Sequence, residues 1–167
     1  MLEGIRRLLA NAPDLEVVAE AYDGAMLLEL LRNAPVVPDL LITDLSMPMV
    51  GGIELTRTVK ALYPEIKVLI LTMHEEEEYV GQAMNAGAAG YLLKDDAGQE
   101  LITAIGLIRA GCIFLSPYFR PHFNFMTLSA QAGAAFPSAD NSQSKIRTAA
   151  KQSAASGEGT PPHKPHP

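Results

Sequence analysis

The stretch Leu40-Leu41-Ile42-Thr43-Asp44-Leu45-Ser46-Met47-Pro48 decides the fold. Three aliphatic residues and a β-branched threonine lead into a carboxylate, and Ser46, Met47 and Pro48 then turn the chain. A short apolar run bounded by turn residues reads as a strand buried on both faces, the kind found in parallel sheets. Two later runs share the build: Val68-Leu69-Ile70-Leu71-Thr72 and Gly90-Tyr91-Leu92-Leu93-Lys94. Each ends in one polar residue. Ligands of open α/β sheets bind just outside the carboxyl ends of the strands, so Asp44, Thr72 and Lys94 are expected to converge at one edge. A carboxylate, a hydroxyl and an ammonium held together suit phosphoryl chemistry.

Working outward, Leu2, Ile5, Leu8 and Leu9 share one helical face, and Asn11-Ala12-Pro13 stops that helix. Residues 16–21 read as a strand closed by Asp23-Gly24. Helical patterns over 25–32, 52–62, 75–86 and 97–110 alternate with the strands, and Gly87 and Gly111 stand where helices stop. Strands alternating with helices mean βαβ units on a parallel sheet. The fold class is α/β.

At this point the chain resembles the receiver domain of bacterial two-component response regulators, in the LuxR-type (NarL/FixJ) branch. The resemblance rests on Asp44-Leu45-Ser46-Met47-Pro48 with Gly51-Gly52, on Leu71-Thr72-Met73-His74, on residues 86–95 and on Leu115-Ser116-Pro117. It covers residues 1–117 and implies a flavodoxin-like doubly wound sheet. It also implies phosphorelay signalling, in which Asp44 accepts a phosphoryl group from a sensor histidine kinase. Enzyme activity is not expected beyond self-catalysed phosphotransfer and dephosphorylation.

The resemblance assigns further roles. Thr72 would hydrogen-bond a phosphoryl oxygen, Lys94 would pair with Asp44 and then with the phosphoryl group, and Tyr91 would be the switch aromatic. Mg²⁺ is the implied cofactor, held by Asp44, by the backbone carbonyl of Ser46 and by an acidic pair after the family's first strand. Each residue also has a plainer reading. Asp44 could be a turn-forming aspartate, Thr72 a strand-favouring side chain, Lys94 a surface cation and Tyr91 a half-buried strand residue.

The chain departs from the family at both ends. The first strand and its acidic pair are absent, and Met1 falls inside the first helix. In the strand order 2-1-3-4-5 the missing strand is central, so residues 17–19 are expected either to pair directly with 40–43 or to leave a gap that exposes apolar edges. Asp23, Asp95 and Asp96 do not match the acidic-pair position and are not recruited as ligands. The helix-turn-helix domain that follows in LuxR-type regulators is also missing. The expected organisation is an incomplete receiver domain over 1–117, an atypical linker over 118–128 and a low-complexity, disordered tail over 129–167. In that tail Phe136 and Ile146 are the only large apolar residues.

Charge agrees with this division. Residues 1–120 carry 9 basic and 17 acidic residues, a net of −8, and the remainder a net of +2. An acidic domain does not grip a nucleic-acid backbone by itself, so direct DNA binding is not expected. No run reaches the ~18 apolar residues of a membrane span. The single Cys112 suits a reducing cytoplasm and reads as a small hydrophobe. Glu75–Glu78 read as a solvated helix start, His74 as an exposed loop residue, and Met47, Met49 and Met73 as packing. His163 and His166 are too isolated to form a metal site.

A homodimer is an expected output state. One alternative function is a receiver-fold binding module that works without phosphorylation because its Mg²⁺ site is broken. A phosphatase-type hydrolase with an aspartyl nucleophile is disfavoured, because the second catalytic Asp such enzymes need would fall at Ser46.

Overall fold

A computed structural model of the chain describes residues 2–47, 49–123 and 146–151. In chain order the elements are α1 (Leu2–Ala10), β1 (Leu15–Ala21), α2 (Gly24–Asn33), β2 (Leu40–Asp44), α3 (Gly52–Leu62), β3 (Lys67–Thr72), α4 (Glu77–Asn85) and β4 (Gly90–Leu93). A single 3₁₀ turn (Lys94–Asp96), α5 (Ala97–Arg109), β5 (Phe114–Leu115) and β6 (Ile146–Lys151) follow. All strand pairs are parallel and the sheet order is β1-β6-β2-β3-β4-β5. This is the flavodoxin-like doubly wound sheet the sequence implied.

Strand alternation builds two cores. Leu41, Val68, Ile70, Tyr91 and Leu93 pack with Leu27, Leu31, Leu55, Val59, Val80 and Ala83 of α2, α3 and α4. Leu40, Ile42, Leu69, Leu71 and Leu92 face the other way, onto Ile5 and Leu9 of α1 and Leu101, Ala104, Ile105 and Ile108 of α5. Successive side chains point to opposite faces, so continuous apolar runs are needed only where both faces are covered. All five residues of β2 are buried accordingly.

Helix ends follow the local chemistry. The Asp23 carboxylate caps α2 by accepting a hydrogen bond from the Met26 N–H at 2.8 Å. Gly87, at φ +98°, closes α4: its N–H donates to the Met84 carbonyl, and the Ala88 N–H donates to that of Ala83. A side chain is disfavoured at that φ, which is why glycine stands there.

The central position differs from expectation. Residues 146–151, counted in the tail by the sequence reading, form β6 and fill the place where direct pairing or a gap was expected. Ile146, Arg147 and Thr148 pair with Leu15, Glu16 and Val17, and a register shift at Val18 precedes the pairing of Ala149, Ala150 and Lys151 with Ala19, Glu20 and Ala21. On the other side Thr148, Ala149 and Ala150 pair with Leu40, Leu41 and Ile42. The expected absence of structure rested on apolar content, whereas a slot between two strands asks first for backbone donors and acceptors. Ile-Arg-Thr-Ala-Ala-Lys has no proline to break that ladder. The rest of the expected tail, residues 129–145 and 152–167, lies outside the described residues.

Packing continues past residue 117. The Phe119 ring is buried edge-on against Tyr91, with ring centroids 5.4 Å apart. Arg120 donates from Nε to the Leu115 carbonyl at 3.0 Å and stacks its guanidinium over Phe114. No helix among the described residues is long and apolar enough to cross a membrane.

Candidate functional site

Asp44, Thr72 and Lys94 meet at the carboxyl edge because each ends, or directly follows, one of three adjacent parallel strands. Asp44 is the last residue of β2 and only 8 % exposed. Its two oxygens have different partners. Oδ1 accepts the Ser46 N–H at 3.1 Å, and Oδ2 is bonded by the Lys94 ammonium. Asp44 thus makes the backbone bond of a turn with one oxygen while the other faces Lys94. The Lys94 side chain is 15 % exposed, so the ion pair lies nearly out of solvent, where charge pairing is strong and each partner depends on the other.

Thr72 is fully buried at the end of β3, and its Oγ1 accepts the His74 N–H at 3.0 Å. That bond uses an acceptor lone pair and leaves the hydroxyl proton to donate. Tyr91 points inward and is fully buried, with its phenol donating to the His74 carbonyl at 3.2 Å. Burial pushes its pKa up to about 12, partly offset by a hydrogen bond with Thr72, while Glu76 and Tyr79 add smaller upward contributions.

His74 is the residue that sequence reasoning missed. Read as an exposed loop residue, it links the site instead. Its main chain serves both Thr72 and Tyr91, its Nε2 lies 2.8 Å from the Ser46 hydroxyl, and its Nδ1 lies 3.5 Å from Glu76. The available signal was its place two residues beyond a strand-ending threonine, where the next N–H can fold back onto the hydroxyl.

The methionines do not behave alike. Met47 packs on the core, but Met49 is 95 % exposed and Met73 is exposed as well. Met49 also holds φ +69°, a left-handed backbone that side chains disfavour. The loop after the acceptor thus carries one strained, exposed methionine between the packed Met47 and Val50. Gly52, which opens α3, approaches so closely that a Cβ there would stand 2.2 Å from the Asp44 carbonyl oxygen. Its N–H donates to the Leu45 carbonyl at 2.9 Å. The glycine fixes the turn that carries Asp44.

The implied Mg²⁺ has no full ligand set here. Mg²⁺ takes near-ideal octahedral oxygen coordination. Of the expected protein ligands the site offers the Asp44 carboxylate, already engaged by Lys94 and the Ser46 N–H, and the Ser46 carbonyl. Among the described residues no group of three or more His, Cys, Asp or Glu could hold a metal ion. The residues present do not fit the ion.

Fold and strand-end residues together define a receiver, and the chain belongs to the response regulator receiver domain family, whose model matches residues 1–106. It is 40% identical over 115 residues to the transcriptional regulatory protein DegU of Brevibacillus brevis, covering 69% of this chain and 48% of DegU. To the response regulator UvrY of Escherichia coli it is 39% identical over 108 residues, 65% of this chain and 49% of UvrY. The chain thus spans about half the length of the curated relatives it matches.

Among solved structures it is similar to a LuxR-family two-component response regulator from Aurantimonas (TM-score 0.64, 35% identity, 78% of this chain and 85% of that one). It is also similar to the isolated receiver domain of RcsB from Salmonella enterica with phosphomimetic BeF3− (TM-score 0.66, 28% identity, 74% of this chain and 90% of that one). These likenesses place it in the LuxR-type branch.

Proposed function

We propose that the chain is a phosphorelay receiver that takes a phosphoryl group on Asp44 from a sensor histidine kinase. The observation that carries this reading is the Asp44–Lys94 pair at the carboxyl edge, with the Thr72 hydroxyl at the end of the adjacent strand. In the transfer an Asp44 carboxylate oxygen bonds to phosphorus as the P–N bond of a phosphohistidine breaks, and the freed imidazole takes up a proton. Lys94 then exchanges one anionic partner for another, offsetting the charge that the phosphoryl oxygens bring. Thr72 donates its hydroxyl proton to one of those oxygens, and Tyr91, tied to the same loop through His74, transmits the movement to the face beneath α4.

Receiver domains of this family are phosphoacceptors rather than enzymes in the usual sense, and they generally bind Mg²⁺ for the transfer. In LuxR-type regulators the output is transcription control, which a DNA-binding part supplies. RcsB has been captured as two dimers bound to two parallel DNAs, which supports expecting self-association of this chain as the phosphorylation-dependent step.

The test is incubation with a small acyl-phosphate donor, read by intact mass. One phosphoryl adduct, labile to alkali and to hydroxylamine as an acyl phosphate is, is expected on the parent chain and none on Asp44→Asn. Equal labelling of the variant would remove Asp44 from the role.

A further inference from the structure

After β5 the chain stays on the domain, and residues 117–123 bridge α4 and α5 across Tyr91. Ser116, fully buried, roots them in β4: its N–H donates to the Tyr91 carbonyl at 3.0 Å, and its hydroxyl accepts the Leu93 N–H at 2.7 Å. Two further bonds close the turn, from the Phe119 N–H to the Ser116 carbonyl at 2.9 Å and from the His122 N–H to the Phe119 carbonyl at 3.0 Å. Phe119 is fully buried edge-on against Tyr91, and the half-buried Phe123 packs on the same core. At the rim Arg120 lies 3.6 Å from Glu100 of α5, and His122 lies 3.0 Å from Glu77 of α4. Ion pairs this exposed contribute little energy. They set where the segment lies, and the buried Phe119 ring holds it there.

We propose that residues 117–123 are a latch, docked through Phe119 on Tyr91 and released when Thr72 is drawn toward a phosphoryl group on Asp44. His74 joins the two ends of this path. Its N–H donates to the Thr72 hydroxyl oxygen at 3.0 Å, and its carbonyl accepts the Tyr91 phenol at 3.2 Å. A Thr72 hydroxyl that turns to a phosphoryl oxygen either pulls the His74 main chain along or gives up its N–H. In both cases the Tyr91 phenol loses a fixed partner. Tyr91 and Phe119 are both sealed from solvent, and a close-packed interior does not compress. A shifted Tyr91 ring therefore ejects Phe119 rather than sharing the displacement with it. The coupling is reciprocal in free energy: the docked latch favours the unmodified acceptor, and the undocked latch favours the phosphorylated one. Release rests on the acceptor reading of Asp44, whereas the coupling of Thr72 to Phe119 exists in the unphosphorylated chain, so the two fail separately.

Residue-resolved hydrogen exchange on the full chain tests it. In the parent the amides of Phe119, Arg120 and His122 are expected to be protected. Thr72→Ala removes the acceptor of the His74 N–H and should speed exchange at those three amides by about tenfold or more, while Leu31 in α2 keeps its parental rate. Thr72→Ser, which restores the hydroxyl, should exchange as the parent does. Phe119→Ala should in turn speed exchange at the His74 amide. Parent chain treated with a small acyl-phosphate donor, and shown by mass to be labelled, should lose latch protection by a similar factor. Freely exchanging latch amides in the untreated parent would overturn the proposal. So would a folded Thr72→Ala with parental latch rates, or one in which Leu31 accelerates equally. If Thr72→Ala does not fold, unchanged exchange of His74 in Phe119→Ala overturns the coupling instead. A labelled parent whose latch amides stay protected would refute release. A parent that takes no label, with the Thr72→Ala result as expected, would remove the acceptor reading and the release step and leave the coupling standing.

Discussion

The His74 imidazole and the Ser46 hydroxyl, 28 positions apart in sequence, meet at 2.8 Å and tie the loop after β3 to the loop after β2. Both loops carry site chemistry. One holds the main-chain partners of Thr72 and Tyr91, and the other holds the N–H that orients Asp44. The contact is partly exposed, so its energy is modest, about 0.5–1 kcal/mol. A double-mutant cycle with His74→Ala and Ser46→Ala should yield a coupling of that size in denaturant unfolding. Additive effects would mean that the two loops are positioned independently.

Lys94 and Asp44 form the least solvated ion pair of the site. Removing one partner leaves a charge buried without compensation, whereas removing both leaves two neutral groups of similar shape. Lys94→Met alone should cost about 3 kcal/mol, and Asp44→Asn on that background should recover most of the loss. Chemical denaturation of the two variants checks this, and a double variant no more stable than Lys94→Met would show that the pair is not the stabilising unit.

The strands β2 to β4 were legible because covering both sheet faces forces continuous apolar runs, whereas β1, interrupted by Glu16 and Glu20, was read from its place between the first helix stop and Asp23-Gly24. Asp44, Thr72 and Lys94 could be read with them, since strand ends in a parallel sheet converge. Two features left no such mark. His74 acts largely through its main chain, and an N–H or a carbonyl is the same in every residue. The segment 146–151 joins the sheet through its backbone ladder, and its one large aliphatic residue, Ile146, gave no periodic signal.

Gly52 separates steric need from helix preference. A Cβ there would press on the Asp44 carbonyl oxygen and come within 2.9 Å of the Leu45 Cα, both backbone atoms that cannot rotate away. Gly52→Ala should therefore cost at least about 2 kcal/mol and slow acceptor labelling by displacing Asp44. Gly81 in α4 and Gly98 and Gly106 in α5 have nothing within 4 Å of the same position. Alanine at each should stabilise the domain by about 0.5–1 kcal/mol, because glycine gives up more backbone freedom on folding. Thermal melts of the four variants give the ranking directly, and a stabilised Gly52→Ala would contradict the close approach.

Tyr91 gives the fold a dependence on alkaline pH whose sign can be worked out. Burial raises the folded pKa of its phenol to about 12, above the ordinary value of 10.0. Between those values the folded chain keeps a proton that the unfolded chain has lost, so stability falls as pH rises. Below the ordinary value both states are protonated and the contribution is complete. Unfolding free energy measured from neutral pH upward should begin to drop near the ordinary tyrosine range and keep dropping toward the raised one. Tyr91→Phe removes the titrating group, so its curve should lack that part of the decline, while losing the bond to the His74 carbonyl costs about 1 kcal/mol at neutral pH. Ultraviolet titration of the folded parent should show one of the five tyrosines ionising last. If Tyr91→Phe leaves that late step in place, the buried phenol is not its source.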